Sequence, residues 1–194
     1  MRLSSLCCSF LGCCLLTATS TVAFSQGAKP APPPVGTHMT PSATYDKLLS
    51  MLEKEFVDAA EAMPADKYNF APPASLGEFK GVRTFGGEVK HVADANYYFF
   101  GGSDVSEADA KAKSDAIEKL ATKDEIVAAL KESFSQAHKY VAGITDDNAF
   151  VMTKTGTRGG MAAFGIAHFM DHYGQMCVYL RMNGIVPPAS RGGM

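Results

Sequence analysis

Four stretches of the chain repeat apolar residues at intervals of three and four, the period of a helix that buries one face. In the first, Tyr45, Leu48, Leu49, Leu52, Phe56, Ala59, Ala60 and Met63 follow Thr40 and Pro41, an N-cap with proline at the first helical position, and Pro64 ends the run. The second is capped by Thr84 and stopped at Gly101 and Gly102; Gly87, His91, Ala95 and Tyr98 share one stripe of it. The third begins at Thr122 with Glu125 three residues on, the pattern of a capping box. It buries Ile126, Leu130, Phe134, Ala137 and Val141 before Gly143. The fourth covers 157–183, with Gly184 as its C-terminal stop and Pro187 and Pro188 beyond.

The connections differ in kind. ADKYNFAPPASLGEFKGVR has proline and glycine punctuation without a period and predicts a long loop, in which Tyr68 and Phe70 are either anchors or pocket walls. SDVSEADAKAKSDAIEKLA is charged and alanine-rich, with Ile117 and Leu120 as a weak apolar pair, and predicts a connection with a short surface helix. With no convincing strand and no repeat, the expected fold is all-α, a four-helix up-and-down bundle over 40–190, with any site built between facing helices.

The start of the chain adds a different element. MRLSSLCCSFLGCCLLTATSTVAFSQ has a basic start at Arg2, an apolar run and small residues suited to cleavage, the layout of a secretory signal peptide over 1–25. A retained signal anchor and a lipoprotein reading of FLGCC are the weaker alternatives. Residues 26–39, GAKPAPPPVGTHM after Gln26, form a proline-rich linker in which His38 is solvated. Four of the five cysteines lie in the leader, so a mature chain keeps only Cys177 and has no internal disulfide. The expectation is an exported protein, periplasmic or secreted, with no stable membrane insertion after processing. The 18 basic and 20 acidic residues give a formal charge of −2, which leaves no basic footprint for nucleic acid.

Candidate chemistry centres on HFMDH in the fourth helix. Residues four apart lie about 40° from each other around a helix, so His168 and His172 share a face. Met161, Phe164, Gln175 and Tyr179 fall near them on the wheel, and that stripe is expected to face the core. Two unpartnered imidazoles there would be costly; a metal removes the cost by taking one nitrogen from each. His91 is the only other histidine centred on an inward stripe, with Gly87 and Ala95 leaving room beside it. Three neutral imidazoles suit a divalent ion (Zn, Ni or Fe) with one position left open. Glu88, Asp94 and Asp171 are candidate partners for the outer ring nitrogens, or ordinary solvated acids. Tyr98 and Gln175 are candidate substrate or water contacts. A zincin is excluded because Phe169 stands where H-E-x-x-H needs its glutamate, and a di-iron site because Gly165 stands where a second E-x-x-H needs its acid. His138 reads as a boundary residue, and Cys177 lies half a turn from the histidine stripe.

His91 on the second helix, HFMDH on the fourth and GQMCVYLRMNGIVPP after it resemble the DinB-like superfamily, over essentially the whole of 40–190. The resemblance implies an up-and-down bundle of unusual connectivity and a divalent metal held by His91, His168 and His172. It also implies a tendency to form homodimers. Characterised relatives include thiol-dependent S-transferases, a maleylpyruvate isomerase and metal-dependent hydrolases. The implied function is therefore a metal-dependent transferase or hydrolase that activates water or a thiol for a small-molecule substrate. DNA binding is not expected despite the superfamily's name. A non-catalytic periplasmic metal or small-ligand binder, or an envelope stress protein, is the alternative.

Overall fold

The computed structural model describes residues 31–102 and 105–192. The proposed signal peptide lies outside the described residues, as does the first part of the linker. Residues 31–37 belong to a unit separate from the bundle, which comprises the rest of the chain; their one feature is a turn closed by Thr37 N donating to Pro34 O.

Five helices make up the bundle: α1 (Pro41–Ala62), α2 (Phe85–Phe100), α3 (Glu107–Glu118), α4 (Lys123–Ala142) and α5 (Arg158–Met182). No strand is present among the described residues, only an isolated bridge between Met152 and Thr157. Nor is any described helix long and apolar enough to cross a membrane. The caps form as the sequence dictates. Thr40, Thr84 and Thr157 each accept a backbone N–H three residues on, and Thr122 and Glu125 complete their reciprocal box.

The four long helices close a ring in the order α1, α4, α2, α5. Lys123 Nζ donates to Glu61 O at 2.7 Å and His138 reaches Asp46, so α1 and α4 are antiparallel. Asn96 pairs with Ser133 and Phe100 O with Gln136, so α2 and α4 run in the same direction. Glu88 meets His172 and the Arg83 carbonyl meets Tyr179, so α2 and α5 are antiparallel. The long helices thus run up, down, down, up. The expected alternation has this one departure because α3 carries the chain back along α2, where Lys90 Nζ donates to Glu118 O at 2.9 Å. This is the form that the unusual connectivity takes.

The core is apolar and aromatic. Phe56, Phe134 and Phe169, from α1, α4 and α5, meet edge to face with ring centroids 5.3–6.2 Å apart. Tyr68 is a loop anchor: its buried hydroxyl donates to Ala60 O at 2.7 Å and its ring packs on Phe85. Phe70 packs on Tyr179, so the two aromatics hold the long loop to the bundle.

Gly165 sets how closely α2 approaches α5. A Cβ there would lie 2.6–2.7 Å from the Phe100 ring and 2.9 Å from Phe99 Cβ. Gly165→Ala should therefore destabilise the fold by about 1–3 kcal/mol from overpacking, more than the ~1 kcal/mol that helix propensity returns. Gly174, on the same helix, has nothing within 4 Å of the same position, so Gly174→Ala should stabilise by up to ~1 kcal/mol. Urea unfolding of both variants checks the sign; two changes in the same direction would refute the packing account.

Candidate metal centre

The α2–α5 seam brings His91, His168 and His172 together. One ring nitrogen from each lies within 4.8 Å of the other two. The ring centroids are 5.2 Å apart for His91 and His168, and 4.7 Å for each of the other two pairs.

The most buried of the three is also the most constrained. His172 Nδ1 lies 2.5 Å from Glu88 Oε2, in a pair where both side chains are enclosed. A carboxylate only accepts, so Nδ1 carries the hydrogen, and Nε2 is the nitrogen left for the cluster. Glu88 is 2% exposed. It is thus a buried acid paired with the outer ring nitrogen of His172, not a solvated one. The others differ: Asp94 is half-buried three residues past His91, and Asp171 is exposed and takes a 3.4 Å hydrogen bond from Gln175. The carboxylates of Asp94 and Asp171 favour the charged forms of His91 and His168 respectively, without prevailing.

Burial is the first cause that lowers the pKa of His91, followed by the charges of Arg83 and His172. His168 is lowered to about 4, first by burial and then by the neighbouring imidazoles His172 and His91. Both rings are therefore neutral near pH 7, the form that binds a metal without first losing a proton. Neither makes a hydrogen bond to the protein among the described residues. Three convergent imidazoles, two of them neutral near pH 7 and the third oriented by a carboxylate, fit a divalent transition ion.

The site lies on the flank of both helices, not at the centre of their buried faces. In α5 the buried face runs through Gly165, Phe169, His172, Met176 and Leu180, so its centre is about 80° from His168 by helix geometry. Phe164 is 60% exposed and Gln175 is exposed, contrary to the inward stripe expected for both. Tyr98 does continue the stripe of His91, but at 66% exposure it stands in solvent. The offset arises because Phe169 takes the core position that the wheel gave to His168. His138 is remote from the cluster; its ring bridges Asp46 and Glu53 of α1 at 2.7 Å each. Cys177 is half-buried and outside the triad.

Arg83, whose charge acts on His91 and His168, was not singled out from sequence. The available signal was its place just before the Thr84 cap, at the open end of the helix that carries His91.

The depressed His168 pKa has a stability consequence. The unfolded chain, with an ordinary histidine pKa of about 6.5, binds more protons than the native one from there down to about 4. Metal-free protein should thus lose stability as pH falls through that window. In His168→Gln the loss between pH 7 and about 4.5 should be smaller. Urea midpoints at the two pH values test this, and an equal loss in both proteins would refute it.

Comparison with curated proteins gives no match. The profile of the DinB superfamily matches residues 48–176, from the second turn of α1 to just past His172, and so spans Glu88 and all three histidines. With two thirds of its length matched and the triad assembled between α2 and α5, the chain belongs to the DinB superfamily.

Proposed function

We propose that the protein is an exported, mononuclear metalloenzyme that holds a divalent ion (Zn, Ni or Fe) on His91, His168 and His172 and acts on a small molecule as a hydrolase or transferase. The observation that carries this reading is the convergence of three imidazole nitrogens within 4.8 Å, with the outer nitrogen of one fixed by a buried glutamate. Export is supported by the leader-like sequence at 1–25 alone.

When bound, the ion supplies Lewis acidity that brings a water or thiol toward its ionised form near neutral pH. The chain's own residues would do the rest. Glu88 holds the His172 ring in one tautomer and one orientation. Asp94 and Asp171, each three residues past a histidine, would be the carboxylates to take a proton from a nucleophile on the exposed flank. Phe99, buried and packed on the His168 ring, would keep water off that side of the triad.

Protein purified without a histidine tag or chelator should carry about one divalent ion per chain by elemental analysis. The triple His→Ala variant should carry none. A metal-free wild type whose melting temperature is unmoved by Zn²⁺, Ni²⁺ or Fe²⁺ would overturn the reading, since a ligand of the native state must stabilise it. Turnover of thiol-transfer and hydrolase substrates by the loaded protein separates an enzyme from a non-catalytic binder.

Glu88→Gln should weaken metal affinity by about 10–100-fold while leaving the three ligands in place. Competition with a chelator measures the change, with urea unfolding of the metal-free variant as the control for folding. Unchanged affinity would show that Glu88 serves only the helix contact.

A further inference from the structure

The two ends of the triad differ in chemistry. Toward the C-terminal end of α2, the Phe99 ring lies 5.0 Å from His168, 5.0 Å from Phe164 and 5.1 Å from Tyr98. Phe99 is buried, whereas Tyr98 and Phe164 leave most of their rings in solvent. Tyr98 is about 20° from His91 around α2, and Phe164 about 40° from His168 around α5. Both exposed rings therefore stand on the flank that carries the histidines, as an apolar shelf joined to the His168 ring through Phe99.

Arg83 occupies the opposite end. Its carbonyl accepts the Tyr179 hydroxyl at 3.2 Å, which ties it to α5. Its stem lies against Gly87, where an added Cβ would meet Arg83 Cβ at 3.3 Å and Cγ at 3.8 Å. Gly87 is one turn before His91 on the same stripe, so the side chain leaves the cap on the triad's flank. No acidic side chain is paired with Arg83 among the described residues. Along α2 the distance from Arg83 to Tyr98 is about 22 Å. The forward reach of the arginine and the backward lean of the tyrosine shorten it to on the order of 10 Å.

We propose that this flank selects an elongated organic anion with a flat apolar end, whose ring lies on Tyr98 and Phe164 and whose anionic group faces Arg83, so that its middle passes over the three histidines. The proposal rests on the metal reading above and names the substrate class for the same site. A cation without a protein partner favours an anion, and solvent-exposed rings beside a reactive centre favour a flat apolar group.

Three probes test it by calorimetry on the metal-loaded protein: 5-phenylpentanoate, its neutral amide, and pentanoate, which lacks the ring. The aryl acid should bind about tenfold more tightly than either control. Arg83→Gln should remove the preference for acid over amide and keep the preference for aryl over alkyl. The Tyr98→Ala/Phe164→Ala double variant should do the reverse. Metal content should be the same in all three proteins. Equal affinity for the three probes overturns the proposal, as does an acid preference that survives Arg83→Gln, which would place the carboxylate on the metal. A chain that takes up no metal removes the preceding reading and this one with it. A chain that loads metal but treats the probes alike removes this one alone.

Discussion

The hydrogen bond between Glu88 and His172 is the constraint on which the centre of the molecule depends. A carboxylate 2% exposed has given up its water and is tolerated only where a donor replaces it. The only side chain that donates to it among the described residues is an imidazole on another helix, 84 residues away in sequence. The bond therefore fixes three things together: the register of α2 against α5, the tautomer of His172, and the direction of its free nitrogen. Two further contacts hold the seam at either side. Tyr179 reaches the Arg83 carbonyl at one end, and Phe100 covers Gly165 at the other.

Placing this seam at an edge of the ring of helices separates rigidity from access. Phe56, Phe134 and Phe169 fill the centre of the bundle with edge-to-face contacts, and the His138 ring joins α4 to two carboxylates of α1 away from the triad. Both nitrogens of that ring face acceptors. Burial opposes its charge, yet the hydrogen bonds to Asp46 and Glu53 raise its pKa overall. Stiffness is thus supplied from the far side, and the flank with the triad stays open to solvent without loosening the core.

Much of this was legible in the sequence because it is local. Caps such as Thr40–Pro41 and Thr122–Glu125 are written within a few residues of the helices they start, and all formed. So did the four long helices and the short one between the second and third. The histidines could be grouped because four-residue spacing puts two of them on one face whatever the tertiary context. What was not legible is what neighbouring helices decide. Phe169 and His168 both lie near an apolar stripe, and only packing against Phe56 and Phe134 settles that Phe169 goes inward and His168 to the edge. Glu88 could be read as solvated or as a partner until α5 was placed against it. The parallel run of α2 and α4 follows from where α3 packs, which its weak apolar face does not announce.

The three histidines are unequally prepared for a metal, and the inequality follows from their positions. His172 is enclosed and held by Glu88, so its rotamer is largely set before any ion arrives. His91 and His168 are half-buried and have no hydrogen bond to break among the described residues. An ion held here would be taken by His91 and His168 from the exposed side and by His172 from the enclosed one. The conformational cost of ordering falls on two rings rather than three, and the rings that must move are those with room to do so. The solvent flank is the side from which His91 and His168 can be reached, since buried Phe99 packs against the His168 ring on the other. Access to the three rings is then a consequence of the offset of about 80° that moved His168 off the core stripe: a triad centred on the buried face would leave nothing able to reach it.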